Sequence, residues 1–201
     1  MGSSAVKLKE NAVTEPRKAR IATVSLAGCF GCHMAILDID ERLIDLMKLV
    51  EFDRSPLTDK KTFTTRCDIG IIEGGCCNEE NVHVLRDFRR NCDVLIAIGQ
   101  CAIMGGLPAM RNAIMHSDAP LRECLEEAYI TGKYIRNTTH NIPNDPALPL
   151  LLDEVYPCSD VVEIDYQIPG CAPEGDIIID TLVSLLQGKF QGFARDSIKF
   201  D

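Results

Sequence analysis

Short apolar runs alternate along this chain with longer stretches in which apolar residues recur every three or four positions. The first run, Ile21-Ala22-Thr23-Val24-Ser25-Leu26, is rich in β-branched residues and predicts a strand. After it Ile36, Ile39, Leu43, Met47 and Val50 recur at helical spacing. Asp38, Asp40, Glu41, Arg42 and Lys48 occupy the other face, so an amphipathic helix is expected there. The pattern then repeats. Asp68-Ile69-Gly70-Ile71-Ile72-Glu73 predicts a second strand, leading through Gly74-Gly75-Cys76-Cys77 into a helix with Asn78 as N-cap and Glu79 and Glu80 in the positive first turn. Asp93-Val94-Leu95-Ile96-Ala97-Ile98 predicts a third strand, with Pro108 in the first turn of a later helix. Val161 to Tyr166 predicts a fourth, and a last helix is expected over Gly175 to Leu186.

Strands that alternate with helices imply an α/β fold, a doubly wound parallel sheet covered on both faces. Residues 1–19 lack any period and read as a flexible N-terminal arm, leaving 20–201 as the folded domain. Residues 131–149 hold Gly132, Pro143, Pro146, Pro149 and several Asn, and predict an irregular segment of the length that commonly meets a partner.

Functional loops of such sheets lie beyond the carboxyl ends of the strands. Four cysteines stand there in glycine-marked loops: Cys29 and Cys32 in Gly28-Cys29-Phe30-Gly31-Cys32, Cys101 in Gly99-Gln100-Cys101, and Cys171 in Pro169-Gly170-Cys171. Four converging thiolates suit iron, which prefers soft ligands, as an iron–sulfur cluster. A Cys-x-x-Cys pair alone also fits a redox-active dithiol or half a zinc site. Cys76 and Cys77 end a strand in a glycine-rich loop too and are rivals as ligands. Cys67, Cys92 and Cys124 read as small buried apolar residues, and Cys158 as a packing residue or a neighbour of the site. Glu73 ends its strand and is either solvated or a carboxylate behind the ligands. His33 reads as a solvated histidine at a helix start; His83, His116 and His140 share no ligand spacing.

Composition narrows this further. The chain has 201 residues, 46% apolar and 25% charged, so a sizeable core is expected. A net charge of −9 argues against nucleic acid and anionic membranes, which repel it. The polar first twenty residues show no secretory signal, and no apolar run reaches the ~18 residues of a membrane span. With 10 cysteines in what is then expected to be a reducing cytoplasm, metal or redox chemistry is favoured over disulfides. No phosphate-binding GxxxxGK[ST] loop, no GxGxxG after a strand and no Ser-His-Asp arrangement is present.

Taken together, Gly28-Cys29-Phe30-Gly31-Cys32, Glu73-Gly74-Gly75, Gly99-Gln100-Cys101-Ala102 with Gly105-Gly106, and Pro169-Gly170-Cys171-Ala172-Pro173 resemble the small subunit of [NiFe] hydrogenases over roughly residues 20 to 190. Leu57-Thr58-Asp59, Pro108 to Asn112 and Val155-Tyr156-Pro157-Cys158 are similar to the soluble, bidirectional NAD-reducing group. The resemblance implies a flavodoxin-like fold, with Cys29, Cys32, Cys101 and Cys171 as ligands of one proximal [4Fe-4S] cluster and Glu73 as the acidic residue beside it. It places no catalytic residue in this chain. The Ni-Fe centre belongs to a large subunit, and further clusters, FMN and NAD to a diaphorase module. Larger small subunits carry two more clusters in a cysteine-rich C-terminal region, whereas no Cys follows Cys171 here, so one cluster is expected. The usual Cys-Pro-Pro reads Cys171-Ala172-Pro173. The homologous subunit of respiratory complex I looks similar at the last two cysteine loops but has adjacent cysteines in the first. A flavin-binding flavodoxin-like module and a zinc-stapled interaction protein remain as alternatives from other classes.

Overall fold

The structure is a computed structural model and describes residues 17–114 and 120–192. The chain opens with strand β1 (Ala19–Ser25), helices α1 (Gly31–Leu37) and α2 (Arg42–Leu49), and a three-residue strand β2 (Val50–Phe52). Next come β3 (Cys67–Glu73), β4 (Cys76–Asn78), α3 (Glu79–Asn91), β5 (Cys92–Ile98) and α4 (Gly99–Met104). Two short helices, α5 (Met110–Ile114) and α6 (Pro120–Glu126), the latter running on into a π-helical turn (Glu127–Thr131), are followed by an irregular segment, β6 (Leu151–Tyr156), β7 (Tyr166–Ile168) and α7 (Gly175–Leu186).

All pairings of the main sheet are parallel, in the order β2-β1-β3-β5-β7. Counting only these strands, that is 2-1-3-4-5, the flavodoxin-like order, with its switch point between β1 and β3. Alternate residues feed two cores. Ile21, Ile69, Ile71, Ile96, Ile98 and Ile168 pack against Ile36, Leu46 and Ile178 of α1, α2 and α7 on one face. Ala22, Ile72, Leu95 and Ala97 pack against Leu85 and Phe88 of α3 on the other. Burial on both faces is why these strands are apolar throughout rather than alternating.

Several expectations need correction. Residues 1–16 of the expected arm lie outside the described residues, but 17–19 are tied down. The Arg17 guanidinium pairs with Asp68 at 2.7 Å, Lys18 donates to the Met47 carbonyl at 2.7 Å, and Ala19 already belongs to β1. The helix expected from Ile36 to Val50 is two helices. Asp40 adopts φ 52 in the break between them, a conformation that Asp tolerates better than most residues, and Val50 starts β2. Of the strand expected over 161–166 only Tyr166 pairs. Just before it Asp165 stands in for the ladder, its carboxylate accepting from the Leu95 amide at 2.7 Å while its own amide donates to the Leu95 carbonyl at 3.0 Å. The antiparallel pair β4–β6 was not expected. Asn78 caps α3 by accepting from the Asn81 amide at 2.8 Å, and α7 covers the residues expected of it. Pro108 lies in the turn before α5.

Candidate metal centre

The three loops that carry the four cysteines start from one row of the sheet. Ser25 is in register with Glu73, Glu73 with Ile98, and Ile98 with Ile168. Cys29 stands four residues beyond Ser25, and Cys101 and Cys171 stand three beyond Ile98 and Ile168. The hydrogen-bond ladder therefore brings the cysteine loops and Glu73 to one edge. Backbone bonds tie the loops together there. Leu26 donates to the Glu73 carbonyl at 2.7 Å, Ala27 and Gly75 exchange bonds at 3.0 and 2.8 Å, and Gln100 donates to the Gly170 carbonyl at 3.0 Å.

Two glycines make the approach possible. Gly74 has φ 86, and a Cβ there would lie 2.7 Å from the Leu26 carbonyl carbon, so only Gly lets the β1 and β3 loops close on each other. Gly99 has φ 80, and a Cβ there would lie 2.3 Å from the Cys32 Sγ. The space beside the Cys32 sulfur exists because residue 99 has no side chain.

The four thiols share one electrostatic neighbourhood. The Cys32 thiol is pushed up to about 12, by burial first and then by Glu73, Cys101, Cys29 and Cys171. Cys101 is raised as well, by burial first and by Cys171, Cys29 and Glu73, although a backbone hydrogen bond at Leu107 opposes this. Each thiolate would destabilise the others, so the set needs positive charge among them before it can ionise. The donor chemistry fits an iron–sulfur cluster: four soft ligands, one buried (Cys32), one half-buried (Cys101) and two exposed (Cys29 and Cys171). Gln100, beside Cys101, keeps its buried side-chain oxygen without a partner among the described residues. Among the described residues no group of three His, Cys, Asp or Glu is arranged to hold a single metal ion. Thiolates around one zinc would stand about 4 Å apart, since Zn–S bonds are ~2.3 Å.

Glu73 is 2% exposed and is no solvated strand end. Its carboxylate accepts from the Cys32 amide at 3.2 Å and the His33 amide at 3.3 Å, and bonds to the His33 ring. His33 is fully buried, contrary to the expectation of a solvated residue. The signal was available: His33 precedes Ile36 by three positions, which puts both on the inward stripe of α1. Phe30 stacks on it, ring centroids 4.7 Å apart. Of the other histidines, His83 and His140 are exposed and His116 lies outside the described residues.

The rival cysteines point elsewhere. Cys76 faces Cys158 in the second core, the Cys158 thiol donating to the Gly74 carbonyl at 3.3 Å. Cys77 donates to the Asn81 side chain at 3.3 Å. Cys67 and Cys92 are buried register partners on β3 and β5, as expected of apolar packing residues, while Cys124 is half-buried.

The fold and this edge define the class. Residues 29–185 match the family described as NADH ubiquinone oxidoreductase, 20 Kd subunit, and the chain belongs to that family. Within it, the chain is 45% identical over 173 residues to the NAD-reducing hydrogenase HoxS subunit delta of Cupriavidus necator, covering 86% of this chain and 80% of that one. A crystal structure of an NAD+-reducing [NiFe]-hydrogenase in the H2-reduced state contains a chain with TM-score 0.85 and 48% identity, covering 92% of this chain and all of that one. One component of the F420-non-reducing hydrogenase of Methanothermobacter marburgensis is 35% identical over 86% of this chain, which spans 54% of its length. A chain of the Ni-Fe-Se hydrogenase from Desulfomicrobium baculatum shares the fold, with TM-score 0.55 at 16% identity. The resemblance read from the cysteine motifs is thus borne out: the relatives are hydrogenase subunits.

Proposed function

We propose that this chain is the electron-relay small subunit of a cytoplasmic NAD-reducing [NiFe] hydrogenase, with Cys29, Cys32, Cys101 and Cys171 as the ligands of one [4Fe-4S] cluster. The observation that carries the reading is the convergence of these thiols with Glu73 at one sheet edge, beside 45% identity to a subunit of that name. When bound, such a cluster supplies reversible one-electron storage. The chain's own residues do the rest. The loops after β1, β5 and β7 position the thiols, and Gly99 leaves the Cys32 sulfur room. Glu73 holds the first turn of α1 through two amides and a ring nitrogen.

The reading assigns the Ni-Fe centre to a large subunit, and FMN, NAD and further clusters to diaphorase subunits. A partner surface is supported by apolar side chains on the elements that leave the cysteine loops: Met34 (47% exposed), Met104 (58%), Leu107 (71%) and Met110 (63%). Nothing in this chain is assigned a bond-making step. Among the described residues no helix is long and apolar enough to cross a membrane.

The purified complex is expected to contain about four irons and as many acid-labile sulfides attributable to this chain. Cys29→Ser should abolish hydrogen-driven NAD reduction while the large subunit keeps its metals. Undiminished NAD reduction would remove Cys29 from the ligand set, and zinc without sulfide would replace the relay by a structural staple.

A further inference from the structure

A chain of buried polar groups runs from Glu73 away from the thiol site. His33, Thr23, Ser55 and Glu73 are 0, 1, 2 and 2% exposed. The His33 Nε2 lies 3.0 Å from the Thr23 Oγ1, which lies 2.7 Å from the Ser55 Oγ. The Leu57 amide donates to that same Ser55 oxygen at 3.1 Å. At the other end the His33 Nδ1 meets a Glu73 oxygen.

Counting donors gives the chain a direction. Each hydroxyl carries one proton, and a neutral imidazole has one N–H and one acceptor nitrogen. An ionised Glu73, which accepts from two backbone amides, has no proton to give, so the ring nitrogen facing it must donate. With the ring neutral, Nε2 is then the acceptor, and among the described residues the Thr23 hydroxyl is the group placed to donate to it. With its proton spent, Thr23 accepts from Ser55, which in turn accepts from Leu57. Every donor has a partner. In the reverse direction the Nδ1 lone pair would oppose the carboxylate, and among these contacts the Ser55 proton would have no acceptor.

We infer that Thr23 and Ser55 are positioning residues: their hydroxyls fix His33 as an Nδ1–H donor, and His33 in turn holds the Glu73 carboxylate against the Cys32 amide. This rests on the reading that the four thiols hold a cluster, whose potential then depends on where the Glu73 charge is kept. Thr23 is the more influential of the two, because it touches the ring directly.

The test is made in the purified complex with Thr23→Val, which removes the hydroxyl at nearly constant shape, Thr23→Ser, which keeps it, and Ser55→Ala. Iron and sulfide content are measured first, then the cluster's midpoint potential and electron paramagnetic resonance spectrum. Thr23→Val is expected to retain its iron, to shift the potential upward as the carboxylate loosens, and to alter the spectrum. Ser55→Ala should move both in the same direction by less, and Thr23→Ser should restore both. Iron-loaded Thr23→Val and Ser55→Ala variants with wild-type potential and spectrum would overturn the inference, as would Thr23→Ser behaving like Thr23→Val. If Thr23→Val fails to assemble, Ser55→Ala alone decides by the same criterion. A wild-type complex without iron or sulfide would remove the underlying reading, and the inference with it.

Discussion

Two groups of cysteines sit within one domain and differ in almost everything except chemistry. Cys29, Cys32, Cys101 and Cys171 stand beyond the ends of parallel strands, beside glycines and close to a buried carboxylate. Cys67, Cys92, Cys76 and Cys158 are all buried in the second core, paired with one another. In each core pair the shared hydrogen bond acts oppositely on its two members: it pushes Cys92 and Cys158 up and draws Cys67 and Cys76 down. Burial opposes ionisation of all four. The edge set has room and exposure on one side; the core pairs have neither. Place in the topology, not residue type, decides which thiols are available to a metal.

The sharpest way to break this contrast is to fill the space at the edge. Gly99→Ala forces a side chain onto a backbone at φ 80 and sets its Cβ 2.3 Å from the Cys32 sulfur. Strain at such a position costs about 1–3 kcal/mol. Iron content should fall by more than half, and the urea midpoint should drop with it. Full iron loading of this variant would show that Cys32 does not need that space.

The complementary change is in the core. Cys158→Ala deletes a fully buried thiol that donates to the Gly74 carbonyl. A loss of about 1 kcal/mol is expected from equilibrium unfolding, with iron content unchanged. Loss of iron at unchanged stability would move Cys158 into the edge group.

A smaller effect separates the two ends of the sheet in acid. Burial alone would raise Asp53, but the Thr64 hydroxyl and the Thr64 and Thr65 amides outweigh it and hold the carboxyl below its ordinary value. For Asp68 too burial acts upward, and the Arg20 amide and Arg17 guanidinium reverse it. A lowered folded value means these carboxylates stabilise the fold above the ordinary carboxyl range near pH 4. That contribution is lost as pH falls through the lower folded values. Urea midpoints should be level from about pH 7 to 5 and decline below about pH 4. Asp53→Asn should flatten the decline; an unaltered slope would take Asp53 out of this account.

Much of the fold was legible because buried parallel strands advertise themselves as unbroken apolar runs, as in Val94 to Ile98. The four edge cysteines were legible because glycine marks each loop where a strand ends. Less visible was whatever depends on long-range pairing. Cys76-Cys77-Asn78 has no period that announces a strand, and β4 exists because Leu151–Tyr156 supplies a partner. Val161, Val162 and Ile164 carry a strand-like pattern but pack as satellites of the second core, since Asp165 already occupies the ladder position beside Leu95. The burial of His33 was masked by its place at a helix start next to the Cys32 loop, although the stripe it shares with Ile36 points inward.

The row formed by Ser25, Glu73, Ile98 and Ile168 acts as a ruler for the thiol edge. One residue more or less inside β1, β3, β5 or β7 displaces that strand's loop by about 3.3 Å. It also exchanges the two faces of everything that follows. Length can vary with less consequence where the ruler is not engaged, as in the exposed stretch 143–147 between α6 and β6.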